Sequence, residues 1–399
     1  MNHIIKLLRI SLKNIGQNKV HNIILIIFVM SAVFFMNISL SSFRHCMYQN
    51  TLVQSSGLYD SYMYAGIPSK QTYYNDSGED MFLAADNYVR KVLDEIERDG
   101  DISDYFHICE TNTVIDGNQN KEVKLFFARY DLLKDLSFPM AKGKWFNEYF
   151  IEDLRDNPTP IVIGYNLKSM YHIGEIVSLD GFDERFIVTG ILKPNTLFLH
   201  SGVGGSGIDL NSVMQLSDDM IIIAKESNKY QGSLIIKLSD DKRDISEQNV
   251  LKGIADVVDT FSFQYLANQA YQSNLFEIQM QTTLSILALL ICIVGMKCGN
   301  LLSFVKGKRR LAVYFLCGMD KRTSILVVLL EGILKLYVPA VIGFNLFYSY
   351  CRKQLFDGLY VDFMNAFFTV VIITFIFVGT LIRTLQISKK NEELKILQG

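Results

Sequence analysis

Four stretches of this chain are apolar for about 20 residues, the length of helix that crosses a bilayer core at roughly 1.5 Å per residue. They are His21–Ser41, Thr282–Val305, Ile325–Tyr350 and Phe363–Ile382. The second is uninterrupted to Met296 and then carries Lys297, close enough to a helix end for its ammonium to reach the interface. Residues 43–275 have another rhythm. Alternation and β-branched residues predict strands over Lys121–Leu133, Thr159–Tyr165, Gly174–Gly181, Arg185–Leu192, Asp219–Glu226 and Gly232–Ser239. The polar turn in "LDGFDERF" closes a hairpin. Two amphipathic patterns, Met81–Gly100 and Asp244–Val258, predict helices beside those strands. The expectation is an α-helical membrane protein of four spans, with a large α+β domain, in two lobes, inserted between spans one and two.

The boundaries follow: an interfacial helix in 1–20, spans at 21–42, 276–305, 323–350 and 363–385, the inserted domain at 43–275, loops at 306–322 and 351–362, and a tail at 386–399. In Ile4–Ile15, apolar residues fall on one helical face and Lys6, Arg9 and Lys13 mainly on the other, the pattern of a helix lying in a membrane surface. The first apolar run exceeds a signal-peptide core and no small-residue cleavage pattern follows, so it reads as a retained anchor.

Charge sets the orientation. Lysine and arginine cluster before the first span, in 306–322 and in the tail, whereas the loop after the third span holds only Arg352 and Lys353. The positive-inside rule puts both termini and 306–322 in the cytoplasm, and 43–275 outside. The overall charge of −2 hides a division, because 43–275 holds 21 Lys and Arg against 34 Asp and Glu. Acidity there suits a soluble domain and identifies no ligand.

Catalytic and metal signatures are missing from the sequence. The six cysteines are scattered; Cys46 and Cys109 alone fall outside, and their separation carries no geometric support for a disulfide. The glycine-rich Ser201–Gly207 lacks the Lys-Ser/Thr of a phosphate loop, and reads as a loop only. His45, His107, His172 and His200 are isolated in sequence, and the acids at Asp94, Glu95, Glu97, Asp218 and Asp219 read as solvated faces.

Two blocks of residues resemble the FtsX-like, MacB-type permeases of ABC transporters. The outer block runs Gly143, Trp145 and Phe146 in "GKWF", then "TPIVIGYNL" with Gly164, "YHIGEIVSL" with Gly174, and "RFIVTGIL" with Val188 and Gly190. These are turn glycines and strand cores. The inner block runs from Asn300 through Lys308, Arg309 and Arg310 to "LAVYFLCGMD", then Lys321, Arg322 and "LLEG". Arg310 stands where the family commonly has an acid, and Phe315 where a basic residue is usual.

Taken alone, the 306–322 segment admits two readings: a stop signal on anionic headgroups, or an apolar ridge seated on a partner. The resemblance implies the second, a coupling helix on an ABC-type ATPase. Lys308, Arg309, Arg310, Lys321 and Arg322 would orient it, and Leu311, Val313, Phe315, Leu316 and Met319 would fill a groove, with Gly318 ending the helix. Glu331 and Lys335, four apart in the third span, form a pair that is either structural or a transmission point. Pro339 follows in the same span. The resemblance further implies a dimer with a second permease copy or paralogue, contact with membrane lipids, ATP and Mg²⁺ bound only in the partner ATPase, and no role for nucleic acid. Its substrates would be peptides, bacteriocins, lipid-linked molecules or hydrophobic drugs handled at the outer side. Three other roles fit the same layout: an FtsX-type regulator of a cell-wall hydrolase, an antimicrobial-peptide sensor, and a stand-alone membrane receptor.

Overall fold

A computed structural model describes residues 2–16, 19–66, 81–115, 121–148, 158–179, 181–201, 208–227, 232–239, 243–254, 258–316, 321–353 and 363–396. The chain divides into two compact units, one of Met1–Cys46 with Asn274–Gly399 and one of Met47–Ser273. Its helices are α1 (Asn2–Ile15), α2 (Lys19–Ser55), α3 (Leu58–Ser61), α4 (Met81–Arg98), α5 (Tyr130–Asp135), α6 (Leu210–Val213), α7 (Arg243–Ile254), α8 (Phe263–Leu316), α9 (Lys321–Lys353) and α10 (Phe363–Ile396). Its strands are β1 (Tyr62–Ala65), β2 (Ile102–Ile115), β3 (Lys121–Ala128), β4 (Met140–Gly143), β5 (Thr159–Ile163), β6 (Ile176–Ser178), β7 (Arg185–Leu192), β8 (Leu197–Leu199), β9 (Met214–Leu216), β10 (Met220–Ile223), β11 (Gly232–Leu238) and β12 (Thr260–Ser262).

Ten strands of the Met47–Ser273 unit form one mixed sheet in the order β12-β1-β11-β2-β3-β10-β5-β7-β4, with β6 on β7; β8 and β9 make a separate ribbon. Period-two alternation sorts the side chains to two faces. Tyr62, Tyr64, Phe106, Ile108, Phe126, Val162, Ile222 and Ile235 share one continuous core. The opposite face is split. Leu125, Phe127, Ile161, Ile163, Val188 and Ile221 pack beneath the β6–β7 end, while Met63, Leu234 and Ile236 pack under Val89 and Leu93 of α4 and Val250 and Ile254 of α7. Two lobes were expected from the sequence; the unit is instead one sheet that carries both of these cores on one side.

Several segments depart from the sequence reading. The predicted strand Lys121–Leu133 stops at Ala128, and Leu132, Leu133 and Leu136 bury themselves at helical spacing in and just after α5. The sequence pattern does not mark the long β2, because polar residues interrupt "ISDYFHICETNTVI". Helix α2 continues past the apolar run, burying Gln49, Leu52 and Val53 on one face, and α8 begins well before its apolar run, burying Phe263, Leu266, Ala267 and Ala270. Helical spacing rather than hydropathy carries both extensions.

In the other unit, Leu25, Val29, Ala32 and Val33 of α2 pack with Cys292, Leu336, Ala340, Ile373 and Ile376. The outward faces are also apolar: Ile23, Ile27, Leu287, Val341, Phe367 and Phe375 are exposed. Helices greasy on both faces suit a lipid surround. Among the described residues three helices carry stretches long and apolar enough to cross a membrane, within Lys19–Ser55, Phe263–Gly295 and Leu329–Cys351, and the apolar part of α10 described, Phe363–Gly379, is shorter. Four were expected.

Candidate functional site

Helix α9 meets its neighbours at successive levels. Near its start, Ser11 of α1 donates to the Val327 carbonyl at 3.4 Å, with Leu7 buried one turn earlier on the same face. Gly332 faces the Phe377 ring of α10, and Tyr337 and Thr374 share a hydrogen bond of 2.9 Å. At Gly343 the helix lies against the Met30 backbone of α2, where a Cβ would stand 2.7 Å from a carbonyl oxygen. Between these levels sit Glu331 and Lys335, 3.8 Å apart and 15% and 10% exposed. A lone charge at this depth is costly, and the i,i+4 spacing supplies its counter-charge from the same helix. The arrangement is a neutralised pair that α9 carries as one body.

The basic and apolar residues of the inner block are placed by backbone alone. Lys308, Arg309, Arg310, Leu311, Val313, Phe315 and Leu316 lie on the last turns of α8, which runs unbroken from Phe263 across the expected boundary at residue 306. Lys321 and Arg322 open α9. Their side chains, and Gly318 and Met319 altogether, lie outside the described residues.

A polar layer joins the helices on the side of the bundle where α2 runs toward residue 46. Asn37 of α2 donates to Thr369 Oγ1 of α10 and to the Val33 carbonyl, both at 2.8 Å, and Asn365 donates to the Asn37 carbonyl at 3.4 Å. Arg44 donates to Asn365 Oδ1 at 3.3 Å. Toward α8, Ser39 and Thr282 hydroxyls meet at 2.5 Å, and Ser42 donates to Gln281 at 3.4 Å. Sequence reasoning missed these residues. Each helix contributes only a few polar side chains, and nothing in their spacing names the helix they will meet.

In the sheet unit the outer-block glycines are places where backbone meets backbone. Gly143 has φ +76°, and a Cβ there would run into the Thr189 carbonyl; one on Gly164 would overlap the Ser217 and Asp218 carbonyls; one on Gly190 would stand 2.7 Å from the Lys144 carbonyl. Gly174, at φ +83°, makes the turn into β6. Trp145 and Phe146 are buried, the indole donating to the Leu133 carbonyl at 2.7 Å, and Val188 lies in the β6–β7 core. The block builds the fold.

A second polar cluster links β2 to the β8–β9 ribbon. Glu110, with its side chain 10% exposed, meets His200 Nδ1 at 2.8 Å and accepts from the Ser201 amide at 3.1 Å and from Gln215 Nε2 at 3.0 Å. Lys124 donates to Gln215 Oε1 at 2.6 Å. His200, isolated in sequence, is a structural partner of a nearly buried acid. Of the adjoining glycine-rich segment, 202–207 lies outside the described residues. Cys46 and Cys109 are both buried free thiols. No group of three or more His, Cys, Asp or Glu able to hold a metal occurs among the described residues.

Comparison with known proteins gives the arrangement its family. The MacB-like periplasmic core domain matches residues 22–249. No curated protein matches the sequence. A domain of a candidate permease protein from Porphyromonas gingivalis is similar over 53% of this chain and 93% of that one, at 11% identity and a TM-score of 0.25, values too low to support a shared fold. The family match takes in the first apolar helix and nearly all of the sheet unit, and apolar helices follow it. The chain therefore belongs to the MacB-like family and is an ABC-transporter permease-type membrane protein.

Proposed function

We propose that this chain is the permease subunit of an ABC transporter that works by mechanotransmission, paired with a separate ATPase and with a second permease copy or paralogue. In this reading α10 is the fourth span, residues 43–275 lie outside a bacterial plasma membrane, and both termini lie in the cytoplasm. ATP and Mg²⁺ bind the partner, and closure of the ATPases pushes on residues 306–322. Helices α2 and α8 then carry the motion outward. Peptide, lipid-linked or hydrophobic substrates are handled at the outer side instead of passing through a central polar pathway.

The observation that supports the reading is the continuity of those two helices. Helix α2 contributes Leu25, Val29 and Val33 to the bundle core and Leu52 and Val53 to the sheet core. Helix α8 likewise contributes Cys292 to one and Phe263 and Leu266 to the other. Each is a single helix with residues in both units, and rigid secondary elements are among the physical carriers of coupling between sites.

Copurification tests the coupling step. The ATPase should copurify with the parent chain and be largely lost with the double variant Arg309→Glu, Arg310→Glu; equal recovery would remove the coupling role. Labelling of Cys317 by a membrane-impermeant maleimide tests the orientation, and should require permeabilised cells.

A further inference from the structure

We propose that α1 docks on an anionic phospholipid surface and, through its contacts with α2 and α9, holds the ends of those two helices at that surface. The pattern of Ile4–Ile15 marks a membrane-surface helix, and the structure supplies what that helix is tied to. Leu7 and Ser11 are buried where α1 packs on α9, with the Ser11 hydroxyl donating to the Val327 carbonyl at 3.4 Å. The Asn22 amide of α2 donates to the Ile15 carbonyl at 2.6 Å, satisfying one of the carbonyls that the end of α1 leaves open. Helix α1 is thus a strut between two apolar helices.

The two attachments also fix its depth. Val327 lies just before the apolar stretch Leu329–Cys351 of α9, and Asn22 stands at the start of the first apolar run. Both therefore fall at the headgroup level of one membrane face, whichever way the chain is inserted.

The remaining faces of α1 name the surface that covers it. At about 100° per residue, Leu8 and Leu12 stand about a quarter turn from the Leu7–Ser11 face, and Arg9 and Lys13 about half a turn from it. All four are exposed, and Lys19 at the first position of α2 is exposed as well. Neither Arg9 nor Lys13 has an ion-pair partner among the described residues. An acidic protein surface would meet the cations and leave the two leucines in water. A bilayer with anionic headgroups receives both: with α9 alongside, the leucines enter the acyl boundary and the cations lie among the phosphates. Each lysine or arginine at such a surface strengthens association about fivefold.

Hydrogen exchange read by mass spectrometry, on the full chain in lipid nanodiscs, tests the docking and the strut together. Discs of phosphatidylcholine alone are compared with discs of equal parts phosphatidylcholine and phosphatidylglycerol. Amides of α1 and of the first turns of α9 should exchange about fivefold more slowly in the anionic discs, and molar salt should erase most of the difference. The double variant Arg9→Gln, Lys13→Gln, at two exposed positions, should remove the slowing from both segments. Leu7→Ala should keep it in α1 and lose it in α9. The same results are expected whether or not 306–322 seats on an ATPase. Equal exchange of α1 in the two kinds of disc, or slowing that survives the double variant, would overturn the proposal. So would slowing of α1 in the parent without any slowing of α9, because the strut would then be unattached.

Discussion

The sheet unit and the helix bundle are held together by different means. In the sheet unit there are three apolar cores, two of which bury whole aromatic side chains, and each Å² removed from water contributes roughly 25 cal/mol. Backbones meet at fixed register, so Gly143, Gly164 and Gly190 leave no slack. In the bundle, lipid is as apolar as the helix surfaces, and burial between helices gains little. Close approach at Gly332 and Gly343, the Glu331–Lys335 pair and the layer around Asn37 carry the specificity instead. A unit built the first way resists displacement; one built the second way can slide between alternative packings at small cost.

Glycine substitutions test that difference at its largest. Gly164→Ala puts a methyl into two backbone carbonyls of the segment between β9 and β10, and should destabilise the sheet unit by about 3 kcal/mol or more. The chain has one tryptophan, Trp145, buried in the sheet unit, so its emission reports unfolding there in the intact protein. Gly164→Ala should lower the emission midpoint sharply or leave the indole exposed from the outset. Gly100→Ala is the control: φ is +78° but nothing lies within 4 Å, and about 1 kcal/mol is expected. In the bundle, Gly343→Ala meets the Met30 backbone, yet helices in lipid can part slightly, so its cost should stay below that of Gly164→Ala. A larger loss at Gly343, read as monodisperse protein surviving heating in detergent, would break the contrast.

The charged pair gives an intermediate effect. Glu331→Leu or Lys335→Leu alone removes the counter-charge that the i,i+4 neighbour supplies to one buried charge, and should cost about 3 kcal/mol. The double variant should return to within about 1 kcal/mol of the parent, because the pair is close to neutral against two leucines of similar size. Asn37→Leu removes a single interhelical hydrogen bond and should cost less, about 0.6–1 kcal/mol. A double variant as unstable as the worse single one would show that the carboxylate and ammonium have other essential partners.

How far the sequence could be read follows from the same contrast. The amphipathic pattern of Met81–Arg98 names both the element and its buried face, because water lies on the other side, whereas Arg185–Leu192 is buried on both faces from Val188 onward and its pattern names only the element. The apolar spans name their own existence but not their partners. Asn37 meets Thr369 across 332 residues, and neither position is marked by its neighbours. Polar strands are hidden for a related reason: β2 pairs with β11 over Ile102–Cys109 and with β3 over Ile108–Ile115, so it keeps a strand partner even where Glu110 and Thr111 break the hydrophobic run. Glu110 itself is buried by a ribbon some ninety residues downstream, which no local pattern announces.

A pH dependence is expected from two groups that the sheet keeps neutral. Burial pushes the Cys109 thiol from about 9 up to about 12, and burial, reinforced by the bond from its hydroxyl to Asp94 at 2.7 Å, pushes Tyr105 from 10 to about 12. Both folded values lie above the unfolded ones, so the folded state holds protons that the unfolded state releases. Stability from these groups is whole below pH 9 and drains away as the pH climbs toward 12. The Trp145 unfolding midpoint should therefore be flat with pH up to about 8.5 and decline between pH 9 and 10.5. Cys109→Ala should make that decline shallower, and Tyr105→Phe should do so mainly above pH 10. At pH 8 only roughly one thiol in 10⁴ is thiolate, so Cys109 should also resist maleimide until the sheet unit unfolds. Rapid labelling of native Cys109 would mean that the sheet opens readily at β2, and the sheet unit would then be no stiffer than the bundle.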